Sequence, residues 1–195
     1  MTPAHPRQLS ASAARYFADE WDLDEQGIPH RQASRVIAVN EAGQALLLRG
    51  HDFSDVEHWW WFTIGGGLHP GEDPLTGAIR EFEEETGVRL SPADLVGPVL
   101  KRHATFDFHD VTCRQDELFY FTRLSGSPQF TDRGFTAVER QVLDQLKWWD
   151  LADLEQEISA GAVVYPLNFV SLVRSLLAGW NKQCPEITEG TVPKR

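Results

Sequence analysis

The chain contains few of the residues that define several large classes of protein. It has two cysteines, Cys113 and Cys184, and their spacing matches no zinc motif. We therefore expect two free thiols in a protein of the reducing cytoplasm, with neither a disulfide framework nor a zinc finger. No apolar run approaches the roughly 20 residues of a membrane-spanning helix, so no membrane partner is expected. The N-terminus also lacks the apolar segment of a secretory signal.

Basic residues are scarce as well. Lys and Arg number 18 against 29 Asp and Glu, which gives a net charge of −11. Proteins that bind polyanionic nucleic acid usually present a basic surface, so we expect no nucleic-acid partner. A protein of this charge that binds phosphate groups needs a local cation, and this favours a metal ion. The composition, with 42% apolar residues and seven Trp, suits one domain with a sizeable core.

The acidic residues concentrate in one stretch, Gly65–Val88. The spacing after Pro74 predicts a helix whose core-facing stripe comprises Leu75, Ile79, Phe82 and Thr86. The other side carries Glu81, Glu84 and Glu85. Like charges at these spacings cost roughly 0.2–0.5 kcal/mol each, and Gly77 costs about 1 kcal/mol. A divalent cation would compensate for this acidic face, and Gly77 would leave room for a ligand beside it.

The ends of this helix are well marked. Asp73 is suited to the N-cap, Pro74 to the first helical position and Gly87 to the position just after the last turn. We therefore expect the loop of Gly65-Gly66-Gly67 to be held directly against the start of the helix. A solvated acidic face, which is typical of Glu-rich helices, is the competing interpretation, and it is weakened by this precise framing.

Together these residues resemble the Nudix box, G-x5-E-x7-R-E-U-x-E-E-x-G-U, where U is apolar. Gly66, Glu72 and the run Arg80–Val88 match every fixed position. The resemblance implies an α/β protein, a Nudix-type α/β/α sandwich with a central mixed β-sheet and a catalytic loop-helix-loop. It also implies a hydrolase that uses metal-activated water to cleave the diphosphate linkage of a nucleoside diphosphate derivative, including nucleoside triphosphates.

The resemblance assigns roles to residues of the box. Glu81, Glu84 and Glu85 are expected to hold one to three Mg²⁺, or Mn²⁺, with Glu81 and Glu85 as the direct ligands. The expected catalytic residues are Glu84, Glu85, Arg80 and Glu117. Arg80 is expected to pair with Glu72 and fix the loop against the helix, and Gly66 and Gly67 to lie near the substrate phosphates.

A further carboxylate from outside the box often serves such enzymes as a metal ligand or as the base. Glu117 is the first candidate for it and Glu139 the second, with a plain surface glutamate as the alternative for each. Two alternative functions stay open for the chain. One is a non-catalytic nucleotide-sensing module, and the other is an enzyme like isopentenyl diphosphate isomerase, in which Cys113 would be the cysteine that this chemistry requires.

The sequence predicts three segments. Residues 1–30 form an N-terminal extension with a short helix at Ser10–Trp21 and a loop to Pro29, which packs on the domain or serves as a lid or dimer contact. Residues 31–185 form the Nudix domain, and residues 186–195 a frayed tail. A homodimer remains open, and the substrate-selecting residues are expected in Trp59–Trp61, His103–Phe108 and the extension.

The apolar patterns outside the box predict the remaining elements. They comprise a hairpin of Arg35–Asn40 and Ala45–Arg49, a polar loop over residues 50–58, a strand at Trp59–Thr63, a strand at Val99–Phe108 paired with Leu118–Arg123, a loop at Ser125–Gly134, a short strand beginning at Trp148, a helix capped by Asp150 or Asp153, and a closing helix at Pro166–Ala178.

Overall fold

A computed structural model describes residues 21–52, 55–108, 111–125 and 143–190. The strands of this part of the chain are β1 (Asp22–Leu23), β2 (Pro29–Val39), β3 (Ala45–Asp52), β4 (Asp55–Phe62), β5 (Ile64–Gly67), β6 (Val96–Phe108), β7 (Val111–Arg123), β8 (Leu143–Trp149), β9 (Val164–Tyr165) and β10 (Glu186–Gly190). The helices within these described ranges are α1 (Pro74–Thr86), α2 (Leu151–Ala160) and α3 (Phe169–Ala178), and Pro92–Asp94 forms a 3₁₀ turn.

The strands form one mixed sheet with the order β10-β6-β7-β2-β3-β4-β9. Strands β1 and β5 also pair with β2, and β8 pairs with β3. The pairs β2–β7, β6–β10 and β4–β9 are parallel, and the other pairs are antiparallel. The predicted α/β class with a central mixed sheet is confirmed.

Each face of the sheet buries its own apolar core, because successive residues of a strand point to opposite faces. In β2, Val36 and Ala38 belong to the core that contains Phe82 of α1. Ile37 and Val39 belong to the other core, which contains Leu154 of α2 and several apolar residues of α3. The sheet therefore separates α1 from α2 and α3, as the predicted three-layer arrangement requires.

Several element boundaries differ from those predicted. The polar segment around His51 and His58 is mostly strand, because β3 continues to Asp52 and β4 begins at Asp55. Trp148 and Trp149 end β8 instead of beginning a strand. Pairing between distant strands fixed these limits, whereas local polarity suggested loops.

The predicted frayed tail is wrong for Glu186–Gly190, which forms β10 and pairs in parallel with β6. Likewise the predicted loop before Pro29 contains β1, which pairs with the start of β2. Three predictions lie outside the described residues: the helix expected at Ser10–Trp21 except for its last residue, the loop at Ser125–Gly134 except for its first residue, and Glu139. None of the described helices has the length and apolar character to span a bilayer.

Candidate active site

The box helix α1 begins and ends where its capping residues predict. The Asp73 carboxylate accepts hydrogen bonds of 3.1 Å from the backbone amides of Leu75 and Thr76. Gly87 has a φ of 71°, and its amide donates to the Glu83 carbonyl at 2.8 Å. The caps satisfy backbone groups that the helix ends leave unpaired, which fixes the orientation of the acidic side chains.

The glycines of β5 allow the loop before the helix to pass very close to its neighbours. Gly65 has a φ of +131°, and a Cβ there would lie 2.1 Å from the Ser34 carbonyl oxygen. A Cβ on Gly66 would lie 2.6 Å from Oε2 of Glu81. A larger residue at either position would displace the backbone or the carboxylate, so both glycines are needed for the approach of loop to helix.

Arg80 joins the loop to the helix. Its Nε and Nη2 donate to the two carboxylate oxygens of Glu72, each at 2.8 Å, and Nη2 also donates to the Gly67 carbonyl at 3.0 Å. The charge-assisted bonds from Arg80 lower the pKa of Glu72 to about 2. The predicted pairing of Arg80 with Glu72 is confirmed.

The three glutamates of the box differ in their surroundings. Glu81 and Glu85 are buried, with 8% and 4% of their surface exposed, whereas the Glu84 side chain is 50% exposed. Nη1 of Arg80 donates to Glu81 at 2.6 Å and to Glu84 at 3.1 Å. Oε2 of Glu85 accepts a 2.7 Å hydrogen bond from the Gly65 amide. The helix thus presents two buried carboxylates to the glycine loop and a third to solvent.

The three box glutamates fit a hard divalent cation, since the ligand atoms they offer are all carboxylate oxygens. In the described ranges, however, no three acidic, His or Cys side chains already converge on one cation position. Nη1 of Arg80 bonds both Glu81 and Glu84. A cation shared by these two glutamates therefore has to replace those two hydrogen bonds.

Gly77 does not make room for a ligand, and that expectation is wrong. A Cβ at Gly77 would lie 2.3 Å from Cδ2 of Leu68 and 3.2 Å from Oε2 of Glu72. The loop that precedes the helix therefore fills the space that a side chain at position 77 would occupy. Gly77 serves the packing of that loop against α1.

Glu117 lies apart from the box carboxylates, on the other face of the sheet. Its neighbours Leu118 and Tyr120 pack on the α1 side, so alternation along β7 directs Glu117 toward the opposite side. It is 1% exposed and bonds Arg35 Nε at 2.8 Å and Gln115 Nε2 at 2.7 Å, with Arg102 Nη1 on its second oxygen.

These contacts determine the charge of Glu117. Burial raises its pKa, but the charges of Arg35 and Arg102 outweigh burial, so that its pKa lies below the ordinary value. A carboxylate held by two guanidinium groups is a weak proton acceptor, and this disfavours Glu117 as the base. Neither Arg35 nor Arg102 was singled out from the sequence. Arg35 directly precedes an apolar run, which is a weak signal of a buried charge, whereas Arg102 lies between Lys101 and His103 and carries no such signal.

The two cysteines are free thiols, as predicted. Cys113 is buried, and burial raises the pKa of its thiol to about 12. Cys184 is exposed. A thiol with the pKa of Cys113 is almost fully protonated at neutral pH, so it is a poor nucleophile.

Comparison with known proteins agrees with this geometry. The family model described as the NUDIX domain matches residues 29–167, and the chain belongs to this family. The match includes the glycine loop, α1 and the strands that carry Arg35 and Glu117. The predicted membership of the Nudix family is confirmed.

Individual relatives match more limited parts. An RNA pyrophosphohydrolase of Rhodospirillum rubrum is 39% identical over 67 residues, which are 34% of this chain and 38% of the relative. An uncharacterized Nudix hydrolase of Bacillus subtilis is 29% identical over 127 residues, 65% of this chain and 74% of the relative. The chain therefore spans about two fifths of the first relative's length.

Solved structures support the fold. A MutT protein from Bacillus halodurans superimposes with a TM-score of 0.53 at 16% identity, covering 84% of this chain and 91% of that protein. At this identity the likeness concerns the arrangement of helices and strands alone. It agrees with the mixed sheet and the box helix described above.

Proposed function

We propose that the protein is a metal-dependent pyrophosphohydrolase that cleaves the diphosphate linkage of a nucleoside diphosphate derivative, with nucleoside triphosphates as the first candidates. The observation that carries this proposal is the position of Glu81 and Glu85. Both carboxylates belong to a complete Nudix box, and both are buried against the glycine loop. A purely structural role rarely requires two buried glutamates beside three consecutive glycines.

The roles follow from the contacts. Glu81 and Glu85 would hold Mg²⁺ or Mn²⁺, and Glu84 could add an oxygen from the solvent side. Such an ion, when bound, would supply positive charge to neutralise phosphate and would lower the pKa of a water molecule. Arg80 keeps Glu72 and the Gly67 carbonyl in place, and the backbone of Gly66 and Gly67 lies beside the phosphates. We assign proton acceptance to Glu84, since its solvent exposure lets it reach a water molecule.

The substrate is expected to be a mononucleotide. The curated relatives include RNA pyrophosphohydrolases, and the 5′ end of RNA is therefore a second candidate. The net charge of −11 favours the mononucleotide, because a long polyanion is repelled by an acidic surface unless a basic path guides it. Both candidates place a diphosphate at the same carboxylates.

A panel of nucleoside triphosphates, nucleoside diphosphate derivatives and 5′-triphosphorylated RNA, with Mg²⁺ or Mn²⁺ and product analysis, tests the proposal. Glu85→Gln should reduce turnover by about 10²-fold or more, because a neutral amide binds a hard cation poorly. Glu83→Gln is the matched control, since its side chain lies on α1 but is exposed and contacts Arg89. Turnover of Glu85→Gln close to that of the wild type would show that the proposed site is wrong.

The same panel separates the alternatives. A nucleotide-sensing module would bind a nucleotide without releasing product. An isomerase that uses Cys113 would lose its activity in Cys113→Ala, whereas the hydrolase proposed here should keep it. The buried, protonated thiol of Cys113 favours the second result.

A further inference from the structure

A chain of buried ion pairs crosses the sheet behind the site. Glu117 lies between two arginines, Arg35 and Arg102, and Arg102 Nε also donates to Oε2 of Glu189 at 2.7 Å. The side chains of all four residues are at most 11% exposed. Two cations and two anions thus alternate from β2 through β7 and β6 to β10, and their charges cancel.

One end of this chain touches the catalytic loop. Nη1 of Arg35 donates to the carbonyl of Thr63 at 3.0 Å and to the carbonyl of Gly65 at 2.7 Å. The amide of the same Gly65 donates to Glu85. The arginine therefore fixes the peptide on one side of Gly65, and the glycine presents its amide to the carboxylate on the other side.

The other end lies on β10, near the start of α3. Oε1 of Glu189 accepts a 2.9 Å hydrogen bond from the Leu167 amide, while Oε2 receives Arg102. The Arg102 guanidinium also lies 5.0 Å from the ring centre of Tyr165. Both oxygens of Glu189 are thus engaged, and the C-terminal strand is tied to the same network as the catalytic loop.

Stability alone is a poor explanation for such a network. Buried ion pairs commonly contribute little net stability, because desolvation offsets their attraction, and apolar residues often replace them without loss. Their geometry is well defined, however, since each charged group needs its partner in place. Hydrogen-bonded groups behind a metal site commonly orient its ligands in this way.

We propose that Arg35, held by Glu117, is a positioning residue that orients Gly65 and through it the metal ligand Glu85, and that Arg102 and Glu189 extend this support to β10. This inference depends on the proposed function, because it assumes that Glu85 binds the metal. It gives Glu117 a role through Arg35 instead of contact with substrate. It also gives the C-terminal strand a part in the site.

Mn²⁺ binding measured by electron paramagnetic resonance, without substrate, tests the proposal directly. Arg35→Lys keeps the charge but loses the paired bonds to Thr63 and Gly65, and Glu117→Gln keeps the shape but loses the charge. Each should weaken Mn²⁺ binding by about 10- to 100-fold. In nuclear magnetic resonance spectra, the Gly65 amide proton should move in both variants, which a general loss of stability would not produce in folded protein.

The far end of the chain is tested by a matched pair of variants on one strand. Glu189→Gln removes the bond to Arg102, whereas Glu186→Gln removes the exposed contacts to Lys101 and His103. Glu189→Gln should weaken Mn²⁺ binding by roughly 2- to 30-fold, and Glu186→Gln should leave it unchanged. Because Glu189 lies at the edge strand, its variant is expected to fold even where a change at Arg35 prevents folding.

Two results would overturn the inference while leaving the proposed function intact. In the first, folded Arg35→Lys binds Mn²⁺ as the wild type does and its Gly65 amide is unmoved. In the second, Glu189→Gln weakens Mn²⁺ binding no more than Glu186→Gln does, which removes β10 from the proposal. If the wild type neither binds Mn²⁺ nor hydrolyses any nucleotide of the panel, the proposed function itself fails.

Discussion

Arg80 and Glu72 form a two-pronged ion pair in which Nε and Nη2 meet the two carboxylate oxygens, each at 2.8 Å. The pair spans eight positions, from the loop before α1 to the middle of the helix. A planar guanidinium matches a carboxylate in this geometry, which the single ammonium group of lysine cannot reproduce. The pair therefore holds the loop that precedes α1 against the helix.

Arg80→Lys should destabilise the protein by about 1.5–3 kcal/mol, the usual range for hydrogen bonds to charged groups. Turnover should also fall, because the loop that we propose to lie beside the substrate phosphates loses its support. Urea unfolding and steady-state kinetics measure the two effects. Arg89→Lys is the control, since Arg89 is 85% exposed and meets Glu83 at 3.7 Å. Its effect should stay within about 0.5 kcal/mol, and an equal effect at both positions would contradict the prediction.

The low pKa of Glu72 predicts a specific response to acid. Arg80 lowers this pKa from its ordinary value of 4.5 to about 2. Between these values the unfolded chain binds a proton that the folded protein does not, so stability must fall as the pH falls. The contribution of Glu72 is complete above about pH 4.5 and lost by about pH 2. Glu72→Gln should therefore flatten the pH dependence of the unfolding free energy in this window, and an unchanged slope would refute the assignment.

Gly66→Ala should affect metal binding more than stability. The new Cβ would lie 2.6 Å from Oε2 of Glu81, and the flexible end of that side chain can move away. Moving it takes a carboxylate out of the proposed metal site, so Mn²⁺ binding and turnover should both fall by at least about 10-fold. The loss of stability should remain within about 1–3 kcal/mol.

Alanine substitutions at two other glycines test whether the effect of Gly66→Ala is specific to its position beside Glu81. Gly190→Ala is the neutral control, since a Cβ there meets nothing within 4 Å. Gly65→Ala should fail to fold, because its Cβ would lie 2.1 Å from backbone, which cannot move as a side chain can. Normal Mn²⁺ binding in Gly66→Ala would show that Glu81 is not a ligand.

His103 predicts a local loss of order at the start of β10, around Glu186, at high pH. Its ring bonds Glu186 and Asp116, and these two bonds raise its pKa above the ordinary value of 6.5, while partial burial and Lys101 oppose them. His30 also contacts Asp116, at 3.1 Å. The stabilisation is complete below about pH 6.5 and lost as the pH rises through the raised pKa, since the neutral ring loses one donor.

Hydrogen-exchange protection factors of the β10 amides measure this effect. The values near Glu186 should fall across the titration of His103, while those near Glu189, which Arg102 holds, should stay constant. His103→Gln, which cannot gain a charge, should remove the pH dependence. A titration midpoint of His103 below 6.5 in nuclear magnetic resonance spectra would contradict the raised pKa.

The sequence predicted those parts of the protein whose cause is local. The caps Asp73 and Gly87, the apolar stripe of α1 and the pairing of Arg80 with Glu72 all depend on residues within about one helix of each other. The Nudix box contains most of these residues in one continuous motif. For that reason the family, the class of fold and the candidate metal ligands were accessible from the residues alone.

Only the tertiary structure decided the rest. Arg35 and Glu117 are 82 positions apart and Arg102 and Glu189 are 87 apart, and they meet because strands from distant parts of the chain pair side by side. Spacing along the sequence carries no record of such pairing. It therefore left Glu117 as a candidate base and Glu189 in a frayed tail. The sheet instead places both in one network of ion pairs behind Gly65 and Glu85, where we propose the metal site.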